Sequence, residues 1–162
     1  MSRWLRNSAL PTAALAAVLV LSGCQPEDVT PGLWLSGEVV AENVDDWSFT
    51  DEVQEIFIQT PTWYVVPHST TIWCVAMDGA LFIGSYGSEN GNEKKRWEKN
   101  IARNPHARLR IRDKLYDVTV NSVSDRLTVA ALDLRYRDKY NMQEVFGEDV
   151  PAWWYYQVTQ RQ

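Results

Sequence analysis

The stretch "TTIWCVAMDGALFIGSY", Thr70 to Tyr86, sets Asp78-Gly79 between two runs of apolar, β-branched and aromatic residues. Such residues suit a pleated, packed surface. Asp-Gly supplies the pair that a two-residue turn needs, since both central residues take positive φ. The stretch therefore predicts an antiparallel hairpin. Working outward, "LSGEVVAE" (35–42), "EVQEIFIQT" (52–60) and "WYVV" (63–66) carry strand signals before it, and the loop "GSENGNE" (87–93) follows it. A short helix is predicted over Glu93–Arg103, with Trp97 and Ile101 four apart on one face and Asn104-Pro105 stopping it. Strands "ARLRIR" (107–112) and "LYDVTV" (115–120) come next. "SDRLTVAALDLRYRDKYN" (124–141) reads as a second helix, capped by Ser124, with Leu127, Ala130, Ala131 and Leu134 as its apolar stripe. A last strand, "AWWYYQVT" (152–159), closes the chain. Hairpin chemistry without βαβ alternation points to a mainly β, antiparallel barrel flanked by two helices.

The N-terminus is a different kind of segment. Arg3 and Arg6 precede the apolar run Ala13–Leu21, and small residues follow. This is the pattern of an export signal, too short to span a bilayer, which takes about 20 apolar residues. "LSGC" (21–24) resembles the lipobox of bacterial lipoproteins. That resemblance implies cleavage before Cys24, acylation of its thiol and amine, and anchoring to the lipid bilayer. Gln25 in place of an aspartate favours the periplasmic face of the outer membrane. The expected organisation is a signal peptide over 1–23, a lipidated tether over 24–32 broken by Pro26 and Pro31, and one domain over 33–162.

Charge and cysteines narrow the function classes. The full chain has a formal net charge of −5, and losing Arg3 and Arg6 makes it more negative. Nucleic acid as a partner is therefore not expected, because that needs a basic footprint. With Cys24 acylated, Cys74 has no intrachain partner, and its apolar setting predicts a buried, inert thiol. His68 and His106 are the only histidines, so a dedicated transition-metal site is not expected.

Lys94, Lys95 and Arg96 crowd the start of the first helix, where the macrodipole disfavours each cation by about 0.3–1 kcal/mol. An anion held there would offset that cost. The order and spacing of "IWCVAMDGALFIGS" (72–85), "KKRWEKNIARNPHARLRI" (94–111) and "KLYDVTV" (114–120) resemble pyridoxamine 5′-phosphate oxidase-like split barrels, especially the branches related to deazaflavin-dependent nitroreductases. The resemblance covers about 52–140. It implies a six- to seven-stranded antiparallel split barrel, usually a homodimer, binding FMN or F420, and in some members haem, at the dimer interface. Carried onto this chain, the implied cofactor-binding residues are Ser85, Tyr86, Lys95, Arg96, Trp97 and Asn100, with His68 a candidate catalytic proton donor. The implied activity is that of a flavin- or deazaflavin-dependent reductase.

Each of these residues also has an ordinary structural reading. Glu89, Glu93 and Glu98 could neutralise the cations as a solvated face. Trp97 and Ile101 fit core anchors, the paired aromatics of "AWWYYQ" fit a core or dimer interface, and His68 fits a hydrogen-bonded loop histidine. An exported chain lacking a twin-arginine pair crosses the membrane unfolded, so any cofactor would be acquired outside the cytoplasm. The alternative function is a noncatalytic structural or ligand-binding lipoprotein without a cofactor.

Overall fold

A computed structural model describes residues 32–87, 94–148 and 150–162. The elements in chain order are β1 (Glu38–Val39), a 3-10 helix (Ser48–Glu52), β2 (Ile56–Thr60), β3 (His68–Met77), β4 (Ala80–Tyr86), α1 (Arg96–Ile101), β5 (His106–Ile111), β6 (Lys114–Ser122), α2 (Arg126–Tyr140), α3 (Met142–Phe146) and β7 (Trp153–Gln160). Six strands close a barrel in the order β6-β5-β2-β3-β4-β7, with β7 returning to pair with β6, and every one of these pairings is antiparallel. β1 adds to β6 in parallel at Lys114 and Leu115.

The deciding hairpin forms as predicted. Met77 pairs with Ala80, and Asp78 (φ 53°) and Gly79 (φ 77°) both take the positive φ that such a turn requires. Its strands are apolar on both faces because both faces are covered. Inward, Ile72, Cys74, Leu81 and Ile83 meet Ile56, Ile58, Leu109 and Val118 in the barrel interior. Outward, Val75 and Phe82 pack with Tyr155 under Leu132, Tyr136 and Tyr140 of α2.

Several expectations are corrected. "WYVV" is not a strand: it lies in the loop 61–67 between Pro61 and Pro67, which cannot donate to a ladder, and Trp63 and Val65 are exposed. In "LSGEVVAE" only Glu38–Val39 pairs. Helix α1 begins at Arg96, with Lys95 as its N-cap, so of the three cations only Arg96 is helical; Glu93 lies outside the described residues. Asp125, not Ser124, caps α2, its carboxylate accepting from the Thr128 backbone N–H at 2.8 Å. The predicted apolar stripe of α2 faces solvent, with Leu127 83% and Leu134 69% exposed. The helix instead buries Leu132, Tyr136 and Tyr140, four apart, because the two tyrosines bring large rings and hydroxyls that reach β3 carbonyls. Among the described residues there are three α-helices rather than two, since α3 restarts after Asn141 takes a left-handed conformation.

Candidate functional site

Where β3 and β4 meet the start of α1, the barrel's outer face carries a recess of about 260 Å³. Thr70, Thr71 and Trp73 come from β3, Gly84 and Tyr86 from β4, Trp153 from β7 and Lys95 from the α1 cap; Glu55 precedes β2. The register explains the shape. Trp73 lies opposite Gly84, and Tyr86 opposite Trp153. A Cβ on Gly84 would sit 2.9 Å from both the Trp153 and Tyr136 rings. The missing side chain lets Trp153 lie against β4 and stack on Trp73, with centroids 5.7 Å apart and planes 17° apart. Tyr140 stacks on Trp73 at 4.3 Å and 6°, and Tyr86 packs on Trp153 at 5.1 Å. The result is a wall of flat rings.

Lys95 places its ammonium 3.6 Å from the Tyr86 ring centroid, a cation–π contact. Partial burial holds its pKa below the usual lysine value, and the nearby Glu98 carboxylate opposes that shift. The indole N–H of Trp153 is buried without a hydrogen-bond partner among the described residues. A buried donor left unpaired costs about 1–3 kcal/mol. Glu55, which accepts from the Trp73 indole at 3.4 Å, adds an acceptor to the same recess. Flat apolar walls, one cation and one carboxylate match the needs of a planar, polar-edged, anionic ring system.

The residues implied by the resemblance are divided by the structure. Tyr86, Lys95 and Trp97 line the recess, although Trp97 is 1% exposed and packs into the barrel interior against Tyr156. Ser85 points the other way, donating to the buried Glu98 carboxylate at 2.9 Å. Glu98 also accepts from the Lys95 backbone N–H at 2.7 Å and the Tyr156 hydroxyl at 2.7 Å, so the start of α1 is already capped by a carboxylate of the chain itself. Asn100 is buried, donating to Thr60 Oγ1 at 2.9 Å and accepting from Arg103 at 2.6 Å. Arg96 is exposed on the flank of α1. Burial, then the charge of Arg96, holds the His68 imidazole below its ordinary pKa, and its Nδ1 has no partner among the described residues. His68 does not line the recess.

Whereas Trp153 lies in the "AWWYYQ" run whose aromatics the sequence offered for stacking on a ring, Thr70, Thr71, Trp73 and Gly84 were not singled out from sequence. The signal that could have found them is the register of the Asp-Gly hairpin, which sets Trp73 against Gly84. Cys74 is fully buried and its thiol is pushed up to about 11 by that burial. Among the described residues, no group of three or more His, Cys, Asp or Glu side chains could hold a metal ion. Cys24 lies outside the described residues.

A family model described as "Uncharacterized protein conserved in bacteria (DUF2255)" matches residues 49–152. A comparison with curated proteins found no match. Among solved structures, a conserved hypothetical protein from Mycobacterium tuberculosis is 14% identical with TM-score 0.52, covering 77% of this chain and 86% of its own. A Listeria innocua protein described as "Putative Pyridoxamine 5'-phosphate oxidase" is 15% identical with TM-score 0.51, covering 69% and 87%. An F420-H2 dependent reductase is 16% identical with TM-score 0.47, covering 65% and 94%. These are likenesses of fold, and the barrel described above is the split barrel shared with the first two.

Proposed function

The chain belongs to the DUF2255 family of bacterial proteins, and from that premise we propose that it is an exported, lipid-anchored split barrel that holds a flavin-like ring in the recess at Trp73, Tyr86, Lys95 and Trp153. The observation that carries this reading is the pairing of a half-buried ammonium with a stacked indole wall. FMN and F420 combine a flat ring with a phosphate; haem combines a flat ring with carboxylates. Lys95 would hold the anionic group and the indoles would cover one ring face. Glu55 would accept from a ring N–H. When bound, a flavin or deazaflavin supplies hydride transfer, which makes the loaded protein a reductase; the chain's part is to orient the ring and keep water from the covered face.

The phosphate contacts of this reading differ from those implied by sequence resemblance. Ser85 is committed to Glu98 and Asn100 to Thr60 and Arg103, whereas Thr70 shares the lining of the recess with Lys95. A recess of 260 Å³ falls short of the roughly 300–1,000 Å³ of a complete ligand pocket. One chain thus provides part of the enclosure, and a second copy provides the rest.

Titration of the protein with FMN, F420 and haem, followed by absorbance, tests this reading. Lys95→Met keeps the packing on Tyr86 and removes one charge-assisted contact worth about 1.5–3 kcal/mol, so affinity should fall roughly 10- to 150-fold. Arg96→Ala should leave affinity within about threefold. Failure of wild type to saturate with any of the three would transfer the reading to a noncatalytic lipoprotein.

A further inference from the structure

Between β2 and β3 the segment "PTWYVVP" (61–67) carries no charged residue and puts large apolar side chains into solvent. Trp63 is 81% and Val65 88% exposed, with Tyr64 and Val66 partly so. The loop is not loose. Thr62 Oγ1 donates to the Val66 carbonyl at 2.6 Å, Val66 N–H donates to the Tyr64 carbonyl at 2.9 Å, and the Trp63 and Tyr64 rings meet edge-to-face at 5.4 Å. With Val65 at φ 72°, the Tyr64-to-Val66 hydrogen bond makes a tight three-residue turn that is rare and strained, more so for a β-branched residue. Strain retained to display an apolar tip calls for a use.

The N-terminal end of the described chain lies beside this tip. Gly32 pairs with Ser69 at the start of β3, Ser69 Oγ donates to the Leu33 carbonyl at 2.9 Å, and Leu33 and Trp34 are about half exposed. Trp34 and Val65 line one groove together with Arg161 and the Arg108–Asp117 ion pair. At roughly 3.5 Å per residue, the segment 24–31 can place Gly32 no more than about 30 Å from Cys24.

We propose that the loop 61–67, with Leu33 and Trp34, is a second membrane contact: its Trp63, Tyr64 and Val65 enter the bilayer interface and set the barrel's orientation on the membrane. This rests on the lipid anchor at Cys24 proposed above. The chemistry of the patch fits a phospholipid surface. Trp and Tyr concentrate at the headgroup level, where one part of the ring is apolar and the other wet. Arg161 faces the same groove and suits a lipid phosphate, while Arg108 there is paired with Asp117 through two hydrogen bonds of 2.8 and 2.9 Å. An apolar tip beside a cation, close to an anchored chain end, meets the interface without crossing it. The anchor supplies membrane residence and the loop supplies orientation.

Site-directed spin labelling of the full, detergent-purified protein in phosphatidylethanolamine–phosphatidylglycerol vesicles tests this. Cys74 is fully buried with an inert thiol, so a nitroxide attaches at Val65→Cys, at Tyr64→Cys as a second position, or at Glu52→Cys. Glu52 is an exposed control beside Asp51, whose carboxylate accepts from Ala76 N–H near the far end of β3. The expected result is high collision with oxygen and low collision with a water-soluble nickel chelate at 64 and 65, and the reverse at 52. Adding Trp63→Ser should raise nickel access at 65 several-fold. Labels at 64 and 65 open to nickel in vesicles overturn the proposal, as does protection that persists without vesicles, which assigns the tip to a protein contact. Mass spectrometry of the N-terminal residue reports the anchor separately. Unacylated Cys24 removes the anchor reading, and vesicle-dependent protection at 65 in a Cys24→Ser background would still uphold the loop.

Discussion

Glu98 is a carboxylate with 1% of its surface exposed, and three donors converge on it: the Ser85 and Tyr156 hydroxyls and the Lys95 backbone N–H. It ties β4, β7 and the start of α1 together, and so holds Lys95 at the recess. The Tyr156 phenol, desolvated and facing this carboxylate, has its pKa pushed up and stays protonated as a donor. A hydrogen bond to a charged group is worth about 1.5–3 kcal/mol, so Tyr156→Phe should lower unfolding free energy by that amount, and Glu98→Ala, which strands all three donors, by at least about 3 kcal/mol. Urea denaturation checks both; equal, sub-kilocalorie effects would mean that the triad is solvated. The sequence presented Ser85, Lys95 and Glu98 as residues of a helix start and a strand end. Whether Ser85 served an anion or a carboxylate of the chain could not be read, because Tyr156 approaches from a strand 58 positions away from Glu98. Trp97 was legible as an anchor, since its spacing to Ile101 is a local fact.

At the scale of elements, the outer face of β3, β4 and β7 is built around the one position without a side chain. Gly84→Ala would push a methyl to within 2.9 Å of the Trp153 and Tyr136 rings. Tyr136 is fully buried and its hydroxyl donates to the Trp73 carbonyl at 3.0 Å, so it has little room to yield. The expected cost is about 1–3 kcal/mol of stability, the usual range for overpacking. It should come with a change in near-ultraviolet circular dichroism as the Trp73–Trp153 stack opens. A substitution that alters neither would show that the rings are free to move. The same face explains the misread stripe of α2. Leu127, Ala130, Ala131 and Leu134 have helical spacing, yet the barrel offers α2 the Val75–Phe82–Tyr155 surface, which the longer tyrosine side chains cover better. Helical periodicity names candidate faces, and the partner surface selects among them.

Taken whole, the barrel is closed, and the recess lies on its outer face beside the start of α1. If a second copy completes it, multi-angle light scattering in detergent should give twice the chain mass, and FMN should shift the population further toward the dimer. A monomer at micromolar concentration that still binds ligand would restrict the site to one chain. By itself the sequence determined the Asp-Gly hairpin and the helix between β4 and β5, because both are written in neighbouring residues whose φ preference, period or spacing is local. Only the tertiary structure decided that Ser85 faces Glu98 rather than the recess, that Trp73 and Trp153 stack over Gly84, and that "WYVV" is an exposed turn rather than a strand. Those outcomes depend on which side chain lies across a strand pair or in the next layer, and such long-range register and packing are set by closure of the whole barrel.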